Sequence, residues 1–172
     1  MKILKDILYK VSIDAVRGNT HVMISQIVFD SRKVVPQSVF IAQKGTLSNG
    51  HDYIETAINK GATVIIHQDP LSDYADHITY VRVEDANEAL AIIAANFYDN
   101  PSEKLALVGI TGTNGKTTIA TLLHQLFTKA GYKAGLLSTV KVVVGTQEHP
   151  ATHTTPDSIA INQYLNEMVQ AG

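Results

Sequence analysis

Residues 105–118, LALVGITGTNGKTT, constrain the fold more than any other stretch, because three elements follow one another in a fixed order. A continuous apolar run leads into a turn with glycines at 109, 112 and 115, and then into a stretch with Ile119, Leu122, Leu123, Leu126 and Phe127 at helical spacing. An unbroken apolar run is what a strand needs when both faces of a parallel sheet are covered. Glycine lets the backbone take positive φ and approach a ligand closely, and the helix that follows offers its positive end there. Gly131 is expected to stop that helix, and AGLLSTVKVVV at 134–144 reads as the next strand. Strand, loop, helix and strand then form one βαβ unit with a right-handed crossover.

Upstream, helix and strand patterns alternate. Leu4, Ile7, Leu8 and Val11 mark a first helix, HVMISQIVFDSR (21–32) a strand ending in a polar turn, and SVFIAQKG (38–45) a second strand. Ile54, Ala57 and Ile58 have helical spacing, with Gly61 placed for a C-terminal cap. ATVIIH and ITYVRV read as short buried strands. Asp85, with Glu88 three residues on, caps a helix through Leu90, Ile93, Ala94 and Phe97. Pro101 and its polar neighbours in YDNPSEK mark a boundary between domains at 1–100 and 101–172. The last element is a helix in which Thr155 caps, Pro156 takes the first position, and Ile161, Tyr164, Leu165 and Met168 form one stripe ending at Gly172. The expected fold class is α/β: a small mixed α/β amino-terminal domain followed by the start of a P-loop parallel-sheet ATPase domain. Only 56 residues follow Lys116, so the second domain is expected to be a truncated one.

Composition narrows the function classes. With no cysteine, disulfides and thiolate metal sites are excluded. A net charge of −2 gives no general attraction for nucleic acid or acidic membranes. The amino terminus lacks the apolar core of a signal peptide, and no run approaches the ~20 apolar residues of a membrane span. The expectation is a soluble, cytoplasmic protein with no nucleic-acid partner and no membrane insertion.

Against the pattern G-x-x-x-x-G-K-[ST], Gly115, Lys116 and Thr117 match the end, whereas Ile110 stands where the first glycine belongs. Gly112 lies inside the loop instead. Gly112, Thr113, Asn114, Gly115, Lys116, Thr117 and Thr118 are therefore the candidate nucleotide-binding residues. Main-chain amides would meet phosphate oxygens, Lys116 would bridge the β- and γ-phosphates, and the Thr117 hydroxyl would ligate Mg²⁺. Lys116 and Thr117 are the candidate catalytic residues. The plainer reading is a glycine-rich turn carrying a surface lysine.

TGTNGKTT resembles the ATP loop of the Mur ligase superfamily, whose members join amino acids to carboxylates using ATP. FDSRKVVPQSVFIAQKGTLSNGHDYIETAINKGATVII (29–66) resembles the amino-terminal domain of the members that add the third amino acid or the terminal dipeptide. HTTPD (153–157) resembles the substrate-contacting segment of the third-residue ligases, and the likeness covers essentially the whole chain. It implies ATP and Mg²⁺ as cofactors. UDP-N-acetylmuramoyl-L-alanyl-D-glutamate and an amino acid, diaminopimelate or lysine, would be the substrates, joined through an acyl phosphate. It also implies that Ser31, Thr46, Leu47 and Ser48 contact the uridine diphosphate end, and that His153, Thr154 and Thr155 contact the muramoyl part. Members of the superfamily are much longer, so this chain alone is expected not to complete the reaction.

Each assignment has a structural competitor. Asp30-Ser31-Arg32 could close a strand, TLSNG could be an ordinary turn, and TTPD could be only a helix cap. His21, His67, His77, His124 and His149 lack metal-ligand spacing, and His51 suits hydrogen bonding within its own turn. Two other functions compete with the ligase: a module that binds UDP-sugars or nucleotides without chemistry, and a small-molecule P-loop kinase. The dipeptide-adding ligase is a further alternative inside the superfamily.

Overall fold

The computed structural model describes residues 1–45, 48–150 and 156–172. Its contacts divide the chain into two compact units, Met1–Phe97 and Tyr98–Gly172.

The first unit opens with β1 (Lys2–Ile3) and a single turn of helix, α1 (Leu4–Ile7). The helix expected to run on to Val11 stops early because Lys10 takes a positive φ of 63°. An unexpected strand, β2 (Ile13–Arg17), comes next, with all five residues exposed. The single strand expected over 21–32 is two, β3 (Met23–Ile24) and β4 (Gln26–Val28). They part at Ser25 because β3 pairs with β1 while β4 pairs with the following strand. After a 3₁₀ turn at Ser31–Lys33 come β5 (Ser38–Ile41), α2 (Ile54–Asn59), β6 (Ala62–His67), β7 (Thr79–Val83) and α3 (Ala86–Phe97).

The main sheet has the order β2-β7-β6-β5-β4. Four strands run parallel, and β2 joins the edge antiparallel to β7. All of β5 and five of the six residues of β6 are buried, as central parallel strands require. Phe40, Ile65, Tyr80 and Val28 pack with Ile54 and Ala57 of α2. The alternate residues Val39, Ile41, Val64, Ile66 and Val81 are fully buried on the opposite face. Asp85 caps α3 by accepting from the amides of Asn87 at 2.7 Å and Glu88 at 3.2 Å. Near its other end, Asn96 donates to the carbonyls of Ile7 and Tyr9, closing the unit on its own first residues. The cap expected after α2 forms at Gly61, whose φ is 103°.

The second unit has α4 (Lys116–Lys129), β8 (Leu136–Leu137), β9 (Lys141–Val144), β10 (Gln147–Pro150) and α5 (Ser158–Ala171). LALVGI departs from expectation. Among the described residues it pairs with no strand, and Leu107 and Val108 are 57% and 67% exposed. An apolar run is a strand only when a ladder partner satisfies its backbone. The expected βαβ unit is therefore absent from the described residues, and β8, β9 and β10 form an antiparallel sheet instead. The single strand expected over 134–144 turns at Ser138, whose hydroxyl donates to the Lys141 carbonyl at 2.8 Å. Gly131 ends α4 with φ 90°, as its position suggested. The cap of α5 is Asp157, which accepts from the Ala160 amide at 2.9 Å; the expected cap, Thr155, lies outside the described residues. Leu165 is the buried centre of the α5 stripe.

Candidate functional site

The glycine loop is exposed and turns sharply into α4. Gly112 has φ 148° and Gly115, at the N-cap of α4, has φ 77°. A Cβ at these positions would find nothing nearer than Asn114 O at 3.7 Å or Ile119 Cδ1 at 3.9 Å. Backbone sign, not crowding, is what demands glycine there. No side chain caps α4 and no acidic residue stands in its first turn. The first helical bond is from Ile119 N to Gly115 O at 2.9 Å, so the amides of Lys116, Thr117 and Thr118 precede it. They sit at the positive end of a 14-residue helix, a setting that favours anions.

Lys116 folds back over this loop, where its ammonium donates to the carbonyl of Gly112 and to that of Thr113 at 3.3 Å. The charge is thereby held beside the α4 amides. Thr117 Oγ1 lies 3.2 Å from Thr139 Oγ1, in the turn between β8 and β9. Thr139 was not singled out from sequence, since a hydroxyl 22 positions away gives no local signal. Among the described residues, no group of three or more His, Cys, Asp or Glu is gathered for a metal ion. A hydroxyl beside main-chain amides does suit a hard cation that is itself carried by phosphate oxygens. Thr113, Asn114 and Thr118 are exposed around the same loop.

A second candidate region belongs to the first unit. Ser31 and Ser48 follow β4 and β5, adjacent parallel strands, and so lie at the same carboxyl edge of the sheet, where open α/β sheets bind ligands. Ser31 is buried at the start of its 3₁₀ turn. Asp30 caps that turn through the Arg32 amide and grips the Arg32 guanidinium at 2.8–3.2 Å. The side-chain and main-chain hydrogen bonds from Arg32 hold the Asp30 carboxyl down at about 2. Ser48 is exposed, and its carbonyl accepts from the Gly45 amide at 3.0 Å. Thr46, Leu47, His153, Thr154 and Thr155 lie outside the described residues.

The stem of the Ser48 loop is tightly fixed. Gly50 N donates to Gln43 O at 2.7 Å, and a Cβ on Gly50 would stand 2.6 Å from that oxygen. Asn49 Oδ1 accepts from the His51 amide at 3.1 Å and lies 2.8 Å from His51 Nδ1. On the far side of the ring, His51 Nε2 receives the amides of Gln68 at 3.1 Å and Asp69 at 3.2 Å. Lys44 pairs with Asp69 at 2.7 Å, and Gln68 donates to the Glu84 carbonyl at 2.8 Å. His67, buried below, lies with Nδ1 2.8 Å from the Asp69 carbonyl. Burial lowers the pKa of both His51 and His67.

Two family models match: the Mur ligase family catalytic domain over residues 23–98, and the Mur ligase middle domain over 110–172, which contains nearly all of the glycine loop. The chain belongs to the Mur ligase family. It is 52% identical over 170 residues to the UDP-N-acetylmuramoyl-L-alanyl-D-glutamate–2,6-diaminopimelate ligase of Cytophaga hutchinsonii, covering 98% of this chain and 35% of that protein. The ligases of the same name from Bacteroides fragilis and Clostridium tetani are 44% and 38% identical, again over 98% of this chain and 35% of theirs. This Mur ligase chain thus spans about a third of the length of the curated relatives it matches. A solved structure of a ligase of the same name superimposes over 99% of the chain and 34% of its own, with a TM-score of 0.70 at 20% identity. MurF from Acinetobacter baumannii covers 84% of the chain and 28% of its own, with a TM-score of 0.54 at 22% identity. At these identities the two structures speak for the fold.

Proposed function

We propose that the protein to which this chain belongs is an ATP-dependent ligase that joins 2,6-diaminopimelate to UDP-N-acetylmuramoyl-L-alanyl-D-glutamate. The glycine loop carries this reading: two positive-φ glycines bring Lys116 and Thr117 to the uncapped positive end of α4. The names of the relatives favour diaminopimelate over lysine as the added residue and set the dipeptide-adding activity aside.

A carboxylate resists attack by an amine, so it must first be activated. The γ-phosphoryl group of ATP passes to a carboxylate of the dipeptide, ADP departs, and the amine then attacks the acyl phosphate and expels phosphate. The residues of this chain hold and neutralise. The α4 amides and those around Gly112 and Gly115 receive phosphate oxygens. The Lys116 ammonium exchanges the carbonyls of Gly112 and Thr113 for β- and γ-oxygens. Thr117, with those oxygens, would hold Mg²⁺, which supplies further charge neutralisation to the triphosphate. At the edge of the first unit, Ser31 and the loop bearing Ser48 receive the uridine diphosphate end. Thr46, Leu47, His153, Thr154 and Thr155 complete the substrate contacts in this reading. The unit Met1–Phe97 then serves the uridine diphosphate end, and the unit from Tyr98 onward serves ATP and the muramoyl part.

The test is phosphate release by the full-length protein, which should require ATP, the UDP-muramoyl dipeptide and diaminopimelate together. Lys116→Ala should lower it by about 10³-fold with the fold intact by circular dichroism. A folded wild-type protein that binds the UDP-sugar but releases no phosphate would instead support the non-catalytic binding module.

A further inference from the structure

We infer that His51, as a neutral imidazole protonated only at Nδ1, is a positioning residue that clamps the Ser48 loop to the carboxyl end of β6 and sets the affinity for the UDP-sugar. The inference rests on the substrate reading given above for that loop.

The geometry dictates the tautomer. Two main-chain amides, Gln68 N and Asp69 N, aim at Nε2, and an N–H cannot accept. Nε2 is therefore bare, and the proton is on Nδ1. There it meets Asn49 Oδ1, whose identity as oxygen is fixed independently by its acceptance from the His51 amide. The ring thus joins two loops that share no strand pairing: the stem of the Ser48 loop on one side, and the turn after β6 on the other. Gln68 extends the tie to the end of β7 through the Glu84 carbonyl. Three successive loops at this carboxyl edge are thereby linked, with the Lys44–Asp69 pair as a second tie between the first two.

A second proton on His51 would set an N–H against two N–H donors and break this tie. The charged and titratable groups around the ring divide in sign: Asp69 and Asp52 favour the cation, while Lys44 opposes it, and His67 lies close enough to feel the charge. Asp69 is already paired with Lys44, so its attraction for the ring is partly offset. Desolvation is the largest influence and it disfavours the cation. The clamp is closed at neutral pH and opens on acidification below 6.5, the ordinary histidine value.

The test uses the full-length enzyme, with KM for the UDP-muramoyl dipeptide and kcat measured from pH 8 to 5.5. Wild type should show KM rising about threefold or more toward pH 5.5 with kcat/KM falling in step. His51→Ala should raise KM about tenfold at pH 7.5 with kcat little changed, since two amides lose their acceptor. His51→Gln, which offers a neutral oxygen at every pH, should restore KM to within about threefold and flatten its pH dependence. A His51→Gln profile that keeps the wild-type slope, or a His51→Ala loss confined to kcat, overturns the inference. Long-range ¹H–¹⁵N correlation of the wild-type ring at pH 7.5 decides the tautomer without turnover: a bare Nε2 supports the clamp, and a protonated Nε2 refutes it. If the enzyme folds but does not turn over these substrates, the ligase reading fails, while the ring spectrum still rules on His51.

Discussion

Helices α3 and α4 are close in length, 12 and 14 residues, yet α3 buries five side chains and α4 none. Both carry apolar residues at helical spacing. Around α3 the sheet is complete, with its central strands sealed on both faces. Along α4, Ile119, Leu122, Leu126 and Phe127 are 42–61% exposed, and the apolar segment at 105–110 that precedes it in the chain has no ladder partner among the described residues. Amphipathic periodicity records a capacity for burial, and the opposing layer decides whether it is used. The chemistry does not follow the burial. The candidate phosphate loop sits on the unit with the exposed helix, because its shape depends on two glycine dihedrals and a helix end, which are local.

Substitutions in the two units should separate these cases. Phe40→Ala empties a fully buried site between β4 and β6 and should cost about 3–5 kcal/mol in urea unfolding. Leu122→Ala, at a residue 58% exposed, should change stability by about 0.5 kcal/mol or less. A large loss at Leu122 would mean that α4 is packed in solution, and the contrast would break. Gly50→Ala places a methyl against Gln43 backbone and should lower stability by about 1–3 kcal/mol. It should also weaken UDP-sugar binding, read by calorimetry.

Caps sharpen the comparison from the other side. Asp85→Ala and Asp157→Ala each remove an acceptor for first-turn amides, one in each unit. Each should cost about 1 kcal/mol despite the difference in burial. Unequal losses would show that capping depends on the surrounding layer.

The smallest effect concerns pH. The Asp30 carboxyl, held at about 2 by Arg32, binds its proton more readily in the unfolded chain, whose pKa is near 3.8. Its contribution is therefore present above that value and is lost as pH falls toward 2. Arg32→Ala should return the carboxyl toward its ordinary value in an NMR titration. His51 and His67 act earlier and in the same direction. Because burial keeps them neutral, the unfolded chain takes up their protons first, and stability declines as pH drops below about 6.5.

What could be read from the residues follows the same division between local and distant causes. SVFI and ATVIIH announce buried strands because nearly every residue is apolar, and Asp85 announces a cap because its partners lie two and three positions on. β2 gives no such sign: all five residues are exposed, and its place depends on β7, some 60 residues later. LALVGI misleads for the converse reason, having the composition of a central strand without a partner beside it. At the candidate site, Gly112, Gly115 and Lys116 are legible because their geometry is set within the loop. The Thr117–Thr139 contact and the His51 tie to Gln68 and Asp69 join positions 17 to 22 residues apart, and no spacing pattern encodes them.

The bonds from Asn96 to the carbonyls of Ile7 and Tyr9, with β2 laid against β7, fasten the beginning of the first unit to its end. A nascent chain leaving the ribosome therefore cannot finish this unit in instalments. Its opening segment must wait, unclosed, until α3 has emerged nearly ninety residues later.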